Sequence, residues 1–301
     1  MLKEISIEII RKCPNRCLHC SSLSSEACKE MIPFEKFKEV VDSGKKLGLQ
    51  TVCFSGGEPF LHPDLAKMTA YVSDSGLRSY VYSSGIYMDA KKNRAPVPTE
   101  LLDKLAGKVT KIIYNIEAVD EAVYDTIMGT KGCFSFLEQS IGHSIDRNIE
   151  VEGHFVPMKL NKDQIEPVVD FCQRSGISKI SFLRLVTHGR AQKHKEQLLL
   201  LKAEQEDVAS RLMKLYQTRS SYIRIGVPLF GETAETHCEA ASGKLNIRYD
   251  GNVYPCEVFK NHRIDILEDI APGNIFMETL EHIYQYSAYL KRVRMLIDRF
   301  S

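Results

Sequence analysis

Three of the nine cysteines of this 301-residue chain lie close together, as Cys13, Cys17 and Cys20 in the spacing Cys-x3-Cys-x2-Cys. A compact loop with this spacing can wrap three thiolates around one iron–sulfur cluster, with each thiolate on a different iron. A four-iron cluster with three protein ligands keeps one iron free for a substrate or cofactor. A structural zinc is the alternative, but it usually closes with four ligands, and no fourth ligand is evident nearby.

A second motif, Ser55-Gly56-Gly57-Glu58-Pro59, follows the second predicted strand. Two glycines at the end of a strand let the backbone approach a ligand closely, and their N–H and C=O groups can then bind it. The carboxylate of Glu58 can pair with an ammonium group. Taken alone such a run is more often an ordinary turn, but in a barrel it would lie beside the cysteine triplet.

Together these motifs resemble those of the radical S-adenosylmethionine (SAM) superfamily. The residue before its third cysteine is commonly aromatic and is His19 here. The resemblance implies that the triplet holds a [4Fe-4S] cluster whose open iron binds SAM. It implies reductive cleavage of SAM to methionine and a 5′-deoxyadenosyl radical, which takes a hydrogen atom from the substrate. It also implies that His19 and the run from Ser55 to Glu58 bind SAM.

Weaker similarities lie at the ends of later predicted strands, where simple solvation is the alternative. The resemblance assigns Ser83, Ser84, Asn115 and Glu117 to the SAM ribose. In the sixth predicted strand Arg184 is expected to meet the SAM carboxylate through two parallel hydrogen bonds. Arg190, in the same run, is a weaker candidate that could instead belong to the start of a helix.

The C-terminal segment resembles the SPASM/twitch extension of the same superfamily, in which hairpin cysteines bind an auxiliary iron–sulfur cluster. Here those cysteines are Cys238 and Cys256, and no cysteine follows Cys256. Because two thiolates cannot complete a four-ligand site, three outcomes stay open. They are a cluster completed by His237 or a distant ligand, a pair of structural thiols, and no metal.

Four cysteines remain outside these motifs. Cys53 lies in a predicted strand and Cys172 on the apolar face of a predicted helix, so both are expected to be core residues. Cys28 and Cys133 lie in predicted loops. Either of these two loop thiols is a hypothetical hydrogen-atom donor to a substrate radical.

A regular alternation of strands and helices must position these motifs. Strands are predicted near residues 5–10, 51–54, 79–82, 111–116, 151–157 and 179–185, and helices near 33–48, 64–75, 99–106, 134–147, 163–175 and 203–217. Such units in series predict a parallel sheet with right-handed crossovers. The fold class is therefore α/β, a partial (β/α)6 TIM-type barrel over residues 1–225, with chemistry at the C-terminal ends of the strands.

Residues 226–301 are predicted to form a small α+β appendage, a β-hairpin followed by a helix. Asp250-Gly251 predicts a type I′ turn between the two strands of the hairpin. A helical tail is predicted over residues 277–299. Since the first strand starts within five residues of Met1, recognition of a peptide is expected to fall to this appendage or to a partner protein.

Composition and charge exclude several classes of protein. Lys and Arg number 40 and Asp and Glu 39, and a net charge of +1 disfavours a dedicated nucleic-acid binder. The chain shows neither a secretory signal nor an apolar run long enough to span a membrane, so a cytoplasmic location is expected. Thiols stay reduced there, which disfavours disulfides for an odd number of cysteines.

The resemblance implies an enzyme supplied with electrons by a reductase or a flavodoxin-type donor. The SPASM-like tail favours a ribosomally made peptide as substrate, changed by oxidation, epimerisation or cross-linking. The alternatives are the same chemistry on a small molecule such as a sugar or antibiotic intermediate, and a non-enzymatic iron–sulfur or zinc protein.

Overall fold

The chain forms one large sheet whose strands follow the predicted alternation closely. This computed structural model describes residues 1–226, 229, 238–260, 267 and 269–300. The strands are β1 Glu4–Ile10, β2 Thr51–Gly56, β3 Arg78–Ser83, β4 Ile86–Met88, β5 Arg94–Pro96, β6 Lys111–Asn115, β7 Glu150–Phe155, β8 Lys179–Phe182, β9 Ile223–Ile225, β10 Lys244–Ile247 and β11 Val253–Tyr254. Nine of them form the main sheet, and β4 and β5 pair as a separate hairpin.

The order of strands in the main sheet is β11-β10-β1-β2-β3-β6-β7-β8-β9. All neighbours are parallel except β10 and β11. The six predicted strands therefore lie side by side in chain order, which confirms the partial barrel. The strand order runs from β11 at one edge to β9 at the other, so the described sheet is open and does not close into a barrel.

Helices cover the apolar face of this sheet. They are α1 Phe34–Lys46, α2 Leu65–Asp74, α3 Thr99–Leu105, α4 Glu121–Met128, α5 Phe134–Ile145, α6 Ile165–Arg174, α7 Arg190–Lys193, α8 Lys195–Leu198, α9 Lys202–Arg219, α10 Leu280–Tyr286 and α11 Ala288–Phe300. Phe54 of β2 stacks on Phe37 of α1, with ring centroids 5.5 Å apart. Tyr114 of β6 reaches α5, where its hydroxyl lies 2.8 Å from Ser144 Oγ.

Successive residues of a strand point to opposite faces of the sheet. The face opposite the helices, here called the inner face, therefore receives the alternate strand residues, and these include polar side chains. Lys111 Nζ donates to Glu152 Oε1 at 2.7 Å across β6 and β7. The rings of Tyr82 and His154 lie 5.3 Å apart between β3 and β7. A face with this chemistry offers hydrogen bonds to a polar ligand.

The C-terminal hairpin continues the main sheet, since β10 pairs in parallel with β1 and aligns Asn246 with Ser6. The predicted type I′ turn is wrong. Gly251 has a positive φ of 86°, whereas Asp250 does not, and type I′ requires both. Arg248 N donates to Asn252 O, which leaves a three-residue loop with its left-handed residue last, the usual alternative for hairpins.

The predicted helical tail is present, as two helices instead of one. Helix α10 ends at Tyr286 and α11 starts at Ala288, with Ser287 in a non-helical conformation between them. Thr279 caps α10 by accepting a hydrogen bond from His282 N. No helix in the described ranges combines the length and apolarity needed to cross a membrane.

Candidate active site

The loop after β1 carries the cysteine triplet at the C-terminal end of the parallel strands. All three thiols are free, and Cys13 is buried while Cys17 and Cys20 are half-buried. Arginines from outside the loop hold its carbonyl groups. Arg94 donates to Pro14 O through two nitrogens at 3.1 and 2.6 Å, and Arg190 Nε donates to Cys17 O at 2.8 Å. The loop is thus fixed by side chains from distant parts of the sequence.

Burial raises the pKa of the Cys13 and Cys17 thiols, and the charges of neighbouring cysteines raise it further. Closely spaced buried thiolates need a positive partner to ionise, and iron supplies it. In the described residues no group of three or more His, Cys, Asp or Glu side chains could hold a metal ion. Three protein ligands leave one position of a tetrahedral zinc open, so the triplet alone does not make a closed structural zinc site. A multi-iron cluster instead puts each thiolate on its own iron, so the residues present fit such a cluster.

The two glycines at the end of β2 touch the backbone that leads into the cysteine loop. A Cβ on Gly56, whose φ is +124°, would lie 2.2 Å from Ile10 O. A Cβ on Gly57 would lie 2.1 Å from Lys12 O. Gly57 N donates to Ile10 O at 2.6 Å. The sequence predicts that these glycines admit a ligand, but their lack of side chains is required first by this contact between backbones.

Glu58 is fully buried and joins the ends of β2 and β3. Its carboxylate accepts hydrogen bonds from Ser83 Oγ at 2.8 Å, Ser84 N at 2.9 Å and Ser84 Oγ at 2.6 Å. Burial raises the pKa of Glu58, and these hydrogen bonds from Ser84 and Ser83 counteract the rise. Both of its carboxylate oxygens are therefore already engaged by the two serines.

Ser55 and Asn115 lie at the ends of β2 and β6, two strands that are separated by β3. Ser55 Oγ lies 3.3 Å from Ser6 Oγ and donates to Ile7 O at 3.4 Å. Asn115 is half-buried and is the last residue of its strand. Both residues lie at the end of the sheet that carries the triplet.

A buried pair of titratable groups lies beside the cysteine loop. His19 Nε2 is 3.5 Å from Glu117 Oε1. Burial lowers the pKa of His19 to about 4 and raises the pKa of Glu117 to about 8, so both are neutral at pH 7 and form no ion pair. Glu117 Oε1 and His19 Nδ1 are buried without a hydrogen-bond partner among the described residues. These two atoms are available to a bound molecule.

The predicted position of Arg184 is wrong. Strand β8 ends at Phe182, and Arg184 is exposed in the segment that follows. Arg190 is the arginine of this run that reaches the site, through Cys17 O. Its backbone N–H also donates to Cys20 O at 3.0 Å. The chain turns back over the cysteine loop at Gly189, where a Cβ would lie 2.5 Å from Ser21 O.

The other cysteines lie in three kinds of environment. Cys238 is exposed and Cys256 is half-buried, while His237 lies outside the described residues. Burial, helped by the charges of Glu257 and Cys238, raises the pKa of Cys256 to about 11. Cys133 is buried at the start of α5, and Cys28 is half-buried beside Ser25. Cys53 and Cys172 are core residues, as expected.

Three residues that hold the site together are not evident from the sequence. Arg94 donates a hydrogen bond to Pro14 O, and Asn161 Nδ2 donates to Glu117 O at 2.8 Å. Lys260 Nζ donates to Ser22 Oγ at 2.9 Å. Nothing in the local sequence distinguishes these residues from others of their type. Their roles depend on contacts between segments far apart in the chain.

Replacing Glu117 by glutamine is expected to stabilise the protein as the pH rises. The pKa of Glu117 is about 8 in the folded chain and about 4.5 in the unfolded chain. Its favourable contribution to the free energy of unfolding is therefore complete below pH 4.5 and is lost as the pH rises towards 8. At pH 8 the free energy of unfolding of E117Q should be about 1–4 kcal/mol higher than that of wild type, as measured by urea titration.

Glu166 provides a control of opposite sign, because Arg211 lowers its pKa although burial opposes this. Its contribution is present above its unfolded pKa and is lost as the pH falls, so E166Q should be destabilised at pH 7 and unchanged near pH 3. Equal pH profiles for E117Q and wild type would contradict the assignment of Glu117 as a neutral buried acid.

Comparison with known proteins agrees with this geometry. The sequence model of the Radical SAM superfamily matches residues 7–172, more than half of the chain, and that of an iron–sulfur cluster-binding domain, SPASM, matches residues 238–300. The AdoMet-dependent heme synthase of Nitratidesulfovibrio vulgaris is 26% identical over 97% of this chain and 81% of that protein. The PqqA peptide cyclase of Gluconobacter oxydans is 25% identical, covering 95% and 77%.

Among solved structures, Streptococcus suis SuiB bound to S-adenosylmethionine matches with a TM-score of 0.77 at 16% identity. The match covers 98% of this chain and 68% of that chain. SuiB bound to its precursor peptide SuiA matches with a TM-score of 0.75. At this level of identity the likeness establishes a shared fold.

Proposed function

The chain belongs to the radical SAM superfamily. We propose that this enzyme modifies a peptide by abstracting a hydrogen atom from the peptide. The observation that carries the choice of a peptide is the polar inner face, which runs from the site along the open sheet. Two of the similar proteins support it, since their names describe a peptide cyclase and a complex with a precursor peptide.

Cys13, Cys17 and Cys20 are the proposed ligands of the [4Fe-4S] cluster. Together with SAM, the bound cluster supplies the radical that abstracts the hydrogen atom. Arg94 and Arg190 position the loop by holding the carbonyls of Pro14 and Cys17. The protein determines which substrate hydrogen lies nearest and excludes water from the reaction.

The proposed SAM site combines backbone and side-chain groups at the ends of neighbouring strands. Gly56 and Gly57 present backbone, while His19 and Glu117 present the two unpartnered atoms. Glu58 is better explained as a positioning residue for Ser83 and Ser84, because its oxygens are already engaged by them. Asn115 and Ser55 stay candidates for SAM contacts, and exposed Arg184 is the weakest.

The polar inner face favours a peptide because peptide amides require hydrogen-bonding partners when they leave water. Lys111 and Glu152 form an ion pair there. Burial, helped by the charges of Arg224 and Lys111, lowers the pKa of His154 to about 3, so its ring is neutral and can donate or accept one hydrogen bond. Tyr82 lies against that ring.

A tetrapyrrole is the second candidate substrate, because one similar protein is named a heme synthase and another an Fe-coproporphyrin III synthase. A flat, mostly apolar ring binds best between apolar and aromatic walls. The ion pair and the imidazole of the inner face do not match this requirement. Sugars and antibiotic intermediates share the polar chemistry of a peptide, so the inner face does not distinguish them from a peptide.

Deuterium transfer provides the test. The reconstituted protein is incubated anaerobically with SAM, dithionite and peptides below 10 kDa from cells grown in deuterated medium, and in parallel with Fe-coproporphyrin III. We expect 5′-deoxyadenosine that carries deuterium in the peptide arm. Faster formation of 5′-deoxyadenosine with Fe-coproporphyrin III, without any deuterium transfer from peptides, would overturn the choice of a peptide.

A variant of the inner face separates substrate binding from SAM cleavage. H154L should lower the peptide-dependent formation of 5′-deoxyadenosine while the slow peptide-independent formation persists, because His154 lies on the inner face and not in the cysteine loop. The control is H143L in α5, which lies on the helical side of the sheet. Equal loss of both reactions in H154L would contradict a role in substrate binding.

The C-terminal extension matches an iron–sulfur cluster-binding domain but supplies two cysteines, Cys238 and Cys256. A second cluster there requires further ligands from outside the described residues or from another molecule. Cys28 and Cys133 stay hypothetical hydrogen-atom donors, and unchanged product from C28A and C133A would remove them. A reductase or flavodoxin-type protein is the proposed source of electrons.

A further inference from the structure

An ion pair is buried at the junction between the C-terminal extension and the first strand. Lys260 Nζ lies 2.5 Å from Glu8 Oε1, and the two side chains are 7% and 1% exposed. The partners are 252 positions apart in the sequence. Removing an ammonium or a carboxylate group from water costs free energy, and breaking a buried pair leaves an uncompensated charge. This pair therefore opposes separation of the two segments.

The pair extends into the cysteine loop through Ser22, which is itself buried. Ser22 Oγ donates to Glu8 Oε1 at 2.6 Å, and Lys260 Nζ donates to Ser22 Oγ at 2.9 Å. The three groups form a closed triangle. Because Ser22 follows Cys20 by two residues, this triangle fixes the end of the loop just after the third cysteine.

Charge at this position also reaches the triplet. Burial lowers the pKa of Lys260, but the charges of Glu8, Glu257 and Cys20 outweigh burial and raise it. Glu8 Oε2 is buried and has no hydrogen-bond partner among the described residues. The ammonium group is therefore the counter-charge for Glu8 and lies within electrostatic range of Cys20.

We propose that Lys260 is a positioning residue for the cluster bound by Cys13, Cys17 and Cys20, through which the C-terminal extension holds the cysteine loop and favours reduction of the cluster. The inference rests on the proposed function, because it requires a cluster at the triplet. Reduction adds a negative charge to the cluster, and a nearby fixed positive charge lowers the free energy of that reduced state. Partners outside the ligand shell typically affect metal affinity by about 10–100-fold.

Four reconstituted full-length variants test this role. K260M removes the ammonium group, E8Q/K260M removes both charges, and K260R keeps the positive charge. K244M is the matched control, because Lys244 belongs to the same extension and pairs with Glu4 at a more exposed position. For each protein the rate of cluster loss to an iron chelator and the midpoint potential of the cluster are measured.

We expect K260M to lose its cluster about 10–100-fold faster than wild type and to have a more negative midpoint potential. K260R should restore most of both values, and K244M should resemble wild type. If K260M does not fold, E8Q/K260M keeps the test available, since it leaves no unpaired buried charge. Faster loss in this double variant, with a smaller shift in potential, is expected.

Wild-type values for both the chelation rate and the potential in folded K260M, or in folded E8Q/K260M, would overturn the proposal. Failure of the proposed cluster site has a different signature, since the wild-type protein would then form no redox-active cluster, whereas a substrate other than a peptide would leave both measured values unchanged. The two failures are therefore distinguishable in the same set of samples.

Discussion

Replacing Cys13, Cys17 and Cys20 together by alanine is expected to abolish the formation of 5′-deoxyadenosine from SAM and dithionite. The chain contributes these three thiolates as the proposed ligands, and neighbouring side chains offer no replacement set in the described residues. Anaerobic assay by chromatography, with iron and sulfide analysis of the same samples, measures the effect. Product should fall to the level seen without protein.

The control for this variant is C172A, because Cys172 is a buried thiol in α6 that belongs to the core. C172A should keep both the cluster and SAM cleavage, although cavity formation will lower its stability somewhat. Product formation by the triple-alanine variant at the rate of C172A would contradict the assignment of the triplet.

Iron that remains in the triple variant reports on the C-terminal extension. If Cys238 and Cys256 take part in a second cluster, iron and sulfide should stay bound after the triplet is removed. Loss of all iron would leave these two cysteines as thiols without a cluster. The measurement thus tests the auxiliary site independently of any substrate.

The fold was predictable because its signals are local. Alternating apolar residues in β1 and continuous apolar residues in Val52–Phe54 mark strands by themselves, and the helices between them set the parallel order. The cysteine spacing is equally local. The pairing of β10 with β1 was not predictable, since no pattern in either strand names its partner across the long intervening chain.

The site was predictable where residues act through their own motif and not where they act across the fold. Arg184 and Arg190 occur in the same run, and the early end of β8 at Phe182 decides which of them reaches the cysteine loop. Lys260 reaches Ser22 and Glu8 from the far end of the chain. Such contacts depend on how distant segments pack, which single-sequence patterns do not record.

At Gly57 the backbone of the glycine motif contacts the backbone that leads into the cysteine loop. G57A is therefore expected to disrupt the cluster without altering any of its proposed ligands. The Cβ of an alanine at this position would lie 2.1 Å from Lys12 O and 2.6 Å from Arg11 O, both backbone atoms of the two residues before Cys13. Backbone cannot rotate away as a flexible side chain can. The strand end or the cysteine loop must therefore move, which also weakens the hydrogen bond from Gly57 N to Ile10 O.

We expect G57A to cost about 3 kcal/mol of stability and to bind much less iron than wild type after reconstitution. The matched control is G142A in α5, where an added Cβ meets nothing within 4 Å and the helix should gain about 1 kcal/mol. Urea titration of the unreconstituted proteins separates instability from loss of iron. A folded G57A that binds iron and cleaves SAM as well as G142A would show that the cysteine loop tolerates displacement, and would contradict the argument that this contact between backbones sets its position.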